Sequence, residues 1–298
     1  MPYTEVQRRG KNQYYYRTKS VRVGANVKKI RRFLGKNLSQ ERRLALERQI
    51  DQELDVSLST LLSSREIALL EKMKREHKPV NHEFKYDHFV AKFTYDSNAI
   101  EGNTLTLKET SLILFDHITP SGKSLREINE VTNHKEAFDF ILYHTGLINK
   151  KFICEIQRII TKNTVNREDL KSQIGKYRTV QVYIRGSDIL PPKPSVVPGE
   201  MQKLLSWHKR NDAKLHPFIV AAYVHVAFEA IHPFFDGNGR TGRLLMDFIL
   251  HKHGFPMINI PNKNKLDYYV TLEKAQKGDF RAFITFLLGI IKDRENLY

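Results

Sequence analysis

The chain has 298 residues, 41% apolar and 28% charged, with a formal net charge of +16 and one cysteine. That length allows one large domain or two modest ones, each able to bury a core. The lone Cys154 excludes an intramolecular disulfide and fits the cytoplasmic location expected here. Met1-Pro2-Tyr3-Thr4-Glu5 has no apolar run of the secretory kind.

The charge is uneven. Residues 1–50 hold 14 Lys/Arg against 3 Asp/Glu, a net +11. Such a patch either binds nucleic acid or another polyanion, or is a solvated surface. No nucleic-acid motif accompanies it, so the solvated surface is the expected reading.

In chain order, residues 1–37 form a basic β-hairpin region. Tyr14–Val23 is rich in β-formers, Gly24-Ala25-Asn26 supplies the turn, and Val27–Gly35 is the returning strand. Residues 38–103 are expected to be helical. Ser39 and Glu41 open one helix, with apolar spacing continuing through Leu70. A second covers Tyr86 to Ile100 and ends at Glu101-Gly102-Asn103, where glycine suits a C-terminus. Residues 104–298 are expected to be a run of amphipathic helices at 124–146, 150–162, 198–210, 217–232, 240–254 and 266–291. A β-like interruption at 179–190 precedes Pro191-Pro192. The helix over Pro217–Ile231 is the most apolar, but it is too short for a bilayer and contains His225 and Glu229.

Between the last two apolar helices lies His232-Pro233-Phe234-Phe235-Asp236-Gly237-Asn238-Gly239-Arg240-Thr241-Gly242-Arg243. Pro233 disfavours α conformation at His232, and a new helix starts near Arg240. A glycine loop opening onto a helix N-terminus is an anion cradle, because orphan amides and the helix dipole point the same way. Arg240 and Arg243, three apart, can grip phosphates bidentately. Asp236, a carboxylate beside phosphates, suits Mg²⁺, and His232 can take a proton near neutral pH. The set is equipment for phosphoryl or nucleotidyl transfer to a hydroxyl.

These twelve residues resemble the signature of the Fic (Fido) family. The resemblance implies a mainly α fold, a Fic-type helical bundle with a β-hairpin flap. It also implies protein AMPylation, with AMP moved from ATP to a Ser, Thr or Tyr hydroxyl of a target protein. By carry-over, His232 is the base and Asp236 holds Mg²⁺. Gly237, Asn238 and Gly239 form the anion hole, with Arg240, Thr241, Gly242 and Arg243 completing the phosphate site. Gly175-Lys176-Tyr177-Arg178 and the β-like segment resemble the entry and flap, with Val182, Ile184, Gly186 and Ser187 as candidate target-binding positions. Tyr268 resembles a nucleotide contact on the adenine side, while Gln276 departs from the Asn of several relatives.

Upstream, Ser97-Asn98-Ala99-Ile100-Glu101-Gly102 resembles the family's inhibitory motif. By that resemblance Glu101 pairs with Arg243 and takes the γ-phosphate position, with Ser97 and Gly102 completing the motif. The expected resting state is therefore autoinhibited. Alternatives are removal of AMP or another phosphate-group transfer at the same site, or a DNA-associated regulatory module. Expected partners are ATP, Mg²⁺, a target protein with an acceptor hydroxyl, the chain itself as a target, and a second copy in a homodimer. No membrane partner is expected. His225 is read as a packed neighbour, His251 and His253 as lacking metal company, Cys154 as an inert thiol, and Trp207 as a core anchor.

Overall fold

The structure is a computed structural model describing residues 3–23, 26–44, 46–47, 58–77, 83–184 and 189–293, with the side chains at 19–30 and 83–85 outside that description. Near the N-terminus, β1 (Tyr3–Arg9), β2 (Asn12–Val23) and β3 (Asn26–Lys36) form an antiparallel sheet in the order β1-β2-β3. The expected hairpin is thus the second half of a three-stranded meander. A bulge falls between Tyr15 and Tyr16, where pairing passes from Gly35 to Phe33. Leu34 is the extra residue. Leu34 and Tyr15 are buried, and Arg43 lies over the Tyr15 ring from a helix that opens at residue 40, where Ser39 Oγ accepts from the Arg42 N–H at 3.3 Å.

That helix does not run on to Leu70 as its apolar spacing predicts. Residues 48–57 lie outside the described residues, 60–63 are not helical, and Ser63 caps a new helix, α1 (Ser64–Glu76), through a capping box with Glu66. The same Ser/Thr-x-x-Glu device starts two more helices. Thr106 and Glu109 cap α3 (Leu107–Phe115), and Ser124 and Glu127 cap α4 (Leu125–Tyr143).

Between α1 and α3 lies α2 (Glu83–Ile100). The chain continues through α5 (Lys150–Thr161), α6 (Glu168–Lys171), α7 (Val197–Asn211), α8 (Pro217–Ile231) and α9 (Asn238–Lys252). It ends with α10 (Lys265–Gln276) and α11 (Phe280–Lys292). The single helix expected over 266–291 is two. Gly278, at φ 108°, adopts a conformation that favours glycine, and Asp279 caps the second helix by accepting from Ala282.

One continuous apolar core joins α2 to the later helices. Phe89, Phe93 and Ile100 of α2 pack with Phe138 of α4, Ile156 of α5, Phe228 of α8 and Leu245 of α9. Burial on this scale is the main stabilising term, roughly 1.5–3 kcal/mol per large apolar side chain. The two most closely packed helices, α8 and α9, bracket the glycine loop. Among the described residues, no helix is long and apolar enough to cross a membrane.

The expected β-hairpin flap differs from its prediction. Residues 179–184 and 189–192 form no strand, and Gly186 and Ser187 lie outside the described residues. Side chains take the place of a ladder. The Arg178 guanidinium donates to the carbonyls of Val180 at 3.0 Å and Pro192 at 2.5 Å, and Gln181 donates to Pro191 O at 3.1 Å. Pro191 and Pro192 lack N–H groups to return. Val182 and Ile184 are half-buried in this segment.

Candidate active site

Helix α8 stops at His232, which caps it in the left-handed region at φ 49° and ψ 62° while its N–H still donates to Phe228 O at 2.8 Å. A non-glycine residue pays about 1–3 kcal/mol for such a conformation. Two bonds hold it there. Arg178 Nε donates to His232 O at 2.8 Å, and Arg178 N–H donates to Pro233 O at 2.9 Å. Arg178 is itself buried, so the residue that ties the flap segment also fixes the exit of the helix.

The loop from Pro233 to Gly237 is closed by Asn238. Its Nδ2 donates to Phe234 O at 2.8 Å, and its Oδ1 accepts from Phe234 N–H at 2.9 Å. The Asn238 side chain is thus spent on the loop's own backbone. Gly237, at φ 78°, packs against Ile160 and Thr161 of α5. Gln157 of α5 donates to Asp236 O at 3.2 Å, so α5 forms the back wall.

Arg240 and Arg243 are both buried, but they face different partners. Arg240 lies 3.6 Å from Asp236 Oδ1 and 3.7 Å from Glu130 Oε1, and its Nε is buried without a hydrogen-bond partner. Arg243 donates to Ser97 Oγ at 3.0 Å, to Ser97 O at 2.7 Å and to Glu101 Oε1 at 2.8 Å. Its Nη1 is buried with no partner. Burial alone would depress its pKa, but the Glu101 carboxylate outweighs this and the net shift is upward. Arg243 thus stays a cation in a dry site.

Glu101 sits just beyond α2, 34% exposed in its side chain, directly over Gly239. A Cβ at 239 would collide with Glu101 Oε1 and crowd Arg243. Gly102 follows at φ 99°, turning the chain away. The rest of α2 is firmly anchored. Asp96 accepts from Asn259 Nδ2 at 2.6 Å and Asn262 N–H at 2.7 Å, and Thr94 Oγ1 meets His134 Nδ1 at 3.1 Å.

The structure therefore brings His232, Asp236, the 237–239 loop, Arg240, Arg243, Ser97 and Glu101 together. Thr241 is buried on the core side of α9. Tyr268 lies apart from the cradle mouth. It is 1% exposed, and its hydroxyl meets His225 Nε2 at 2.9 Å beneath Arg243. The exposed ring of that pair is Tyr269, whose hydroxyl donates to Ile100 O at 3.2 Å. His253 meets Asp212, Trp207 stacks on Tyr223 at 3.8 Å, and burial raises the pKa of half-buried Cys154.

Sequence reasoning missed Glu229. It is buried one helical turn before His232, with Oε2 3.8 Å from His232 Nδ1 and Oε1 against Gly242. Burial, assisted by the Glu101 charge and opposed by Arg243, pushes its carboxyl up to about 8. Burial also pulls His232 down to about 4, so the imidazole is neutral at pH 7. The available signal was an acid in an otherwise apolar helix, three residues before a candidate base.

Asp236, the residue expected to hold Mg²⁺, is a partly exposed carboxylate held by the Gly237 N–H at 2.7 Å. Among the described residues no group of three or more His, Cys, Asp or Glu could hold a metal. A single accessible carboxylate is a donor that fits an ion completed by phosphate oxygens and water, as Mg²⁺ typically is.

The Fic/DOC family model matches residues 147–250. Protein adenylyltransferase Fic of Nematostella vectensis is 40% identical over 198 residues, 65% of this chain and 45% of that protein. The Drosophila melanogaster protein of the same name is 36% identical over 210 residues, 68% of this chain and 41% of its own length. The chain thus spans less than half the length of these curated relatives. Among solved structures, a Fic domain containing signaling protein from Bacteroides thetaiotaomicron aligns with a TM-score of 0.68 at 28% identity, covering 77% of this chain and 94% of that one. Fic-1 from C. elegans aligns at 0.67 and 26% identity, over 87% and 77% respectively.

Proposed function

This chain carries a Fic/DOC family domain, and from that premise we propose that it transfers AMP from ATP to a hydroxyl of a target protein, its resting state held off by Glu101. The observation that carries the reading is the Glu101–Arg243 contact. A buried guanidinium at the glycine loop already holds one anion, supplied by the protein, and keeps one N–H donor unused.

In this reading ATP phosphates replace the Glu101 carboxylate. The Asn238 and Gly239 amides at the α9 N-terminus face the phosphates, the Gly237 amide being held by Asp236, with Arg240 and Arg243 neutralising charge. Asp236 would hold Mg²⁺, which when bound neutralises phosphate charge. His232, neutral at pH 7, takes the proton of the acceptor hydroxyl. The hydroxyl oxygen bonds to the α-phosphorus, the bond from that phosphorus to the bridging oxygen breaks, and pyrophosphate leaves. The acceptor hydroxyl belongs to a separate protein, to this chain, or to both. The reading places the protein in the cytoplasm, where ATP is available.

Intact-mass spectrometry after incubation with ATP and Mg²⁺ tests both parts. Glu101→Gly should incorporate AMP roughly 5–150-fold faster than wild type, the span of a 1–3 kcal/mol coupling. Equal rates would remove the inhibitory role, and a gain other than AMP would replace the reaction.

A further inference from the structure

The basic N-terminal sheet has two faces, and the structure separates them. Tyr15 and Leu34 are buried on the face toward the following helix, where Arg43 lies over the Tyr15 ring and Thr4 donates to Glu47. On the other face Phe33 is exposed, Tyr14 and Tyr16 are half-buried, and Thr18 is fully buried. Strand register puts Tyr16 opposite Phe33 and Tyr14 opposite Lys36. The Phe33 ring lies 5.2 Å from Tyr16 and 6.4 Å from Tyr14, and is 55% exposed.

Cations surround this aromatic cluster. Arg31 lies 3.8 Å over Tyr16, with Arg9 and Lys36 at 5.7 and 5.9 Å from Tyr14. The one acid among residues 1–37 is Glu5, 3.3 Å from Arg31. The same segment holds eleven Lys/Arg.

We propose that this face binds single-stranded nucleic acid, with bases stacked on Phe33 and its tyrosine neighbours and phosphates on Arg9, Arg31 and Lys36. Charge complementarity excludes a second copy as the occupant, because two such segments repel. It calls for a polyanion instead. The exposed Phe33 ring, backed by the half-buried tyrosines, then favours nucleic acid, since every base offers a π-face to stack on an aromatic. These rings favour a single strand over a duplex, in which the bases are already stacked on one another.

The inference concerns binding alone and goes beyond the AMP-transfer reading. Its test uses the full wild-type chain without ATP, so the two stand or fall separately. Fluorescence anisotropy with a labelled oligothymidylate should show binding that weakens about 20-fold between roughly 50 and 200 mM salt, as three released counterions require for a single strand. Phe33→Ala should weaken binding about tenfold. The Arg31→Ser, Lys36→Ser double variant should lower the salt slope by about 1.4. Phe33 and Lys36 are exposed, and circular dichroism would verify that the sheet is retained. No binding, equal binding to heparin or to a duplex of the same sequence length, or unchanged affinity in Phe33→Ala would each overturn the proposal.

Discussion

Arg240 and Arg243 are buried, each within 4 Å of a carboxylate of the protein, whereas Arg9, Arg31 and Lys36 stand on a sheet face with Glu5 as its one acid. Both regions contribute to the same net charge of +16. In the first, the surrounding fold has removed water, so each missing or added anion carries a large energy. In the second, water and salt screen the charge, so it acts through association and salt dependence and adds little to stability. Net charge read from composition does not distinguish these cases; burial does.

The comparison is sharpened first at the buried site. In the Glu101→Gly background, His232→Ala should lower AMP incorporation by about 10²–10⁴-fold, the usual span of general-base catalysis. Labelled ATP would measure it, and a residual rate near the parent would remove His232 as the base. Next comes Glu229. Its carboxyl is raised in the folded state to about 8 from 4.5. The folded chain therefore binds more protons, and this group's contribution to stability is full below pH 4.5 and lost as pH rises toward 8. Glu229→Gln does not titrate. It should gain on wild type across that window by an amount on the order of a few kcal/mol, read from urea midpoints at the two ends. Parallel pH profiles of the two proteins would contradict the buried charge.

A smaller effect is expected at Gly242, where a Cβ would collide with Glu229 Oε1 and crowd His225 and Phe228. Gly242→Ala should lower stability by about 1–3 kcal/mol, measured by urea unfolding. An unchanged midpoint would mean that the packing gives way. At the sheet, Phe33→Ala should change global stability by no more than about 0.5 kcal/mol, because the ring is largely exposed. A larger loss would show that Phe33 belongs to the core and would break the contrast.

Much of the site was legible because it is contiguous. Twelve successive residues carry the candidate base, the glycine loop and both arginines, and local physics explains their assembly. Glu101, 142 positions from Arg243, became legible through the resemblance of a short motif, since no spacing rule joins residues so far apart. Glu229 stayed hidden because a carboxylate's environment is set by helices packed around it, which a linear pattern does not report. Strand β1 was missed because Tyr3–Arg9 alternates weakly and its partner supplies the order. Helix α3 was overlooked although Thr106-x-x-Glu109 is a readable capping box. The break at Gly278 was read through, as glycine near a helix end is ambiguous until its φ is known.

Asp96 and Thr94 anchor α2 through the core, while Glu101 lies one residue beyond the helix and is partly exposed. Departure of the whole helix would strip Phe89, Phe93 and Ile100 from the core. Rotation of one side chain would not. The Glu101 carboxylate is not a free surface rotamer, because its release breaks the 2.8 Å charged hydrogen bond to buried Arg243. On the proposed reading, blocked and open forms differ by this one side chain, with the helix itself unmoved. The block would then be an occupancy, set by competition between one carboxylate and nucleotide phosphate for the same guanidinium.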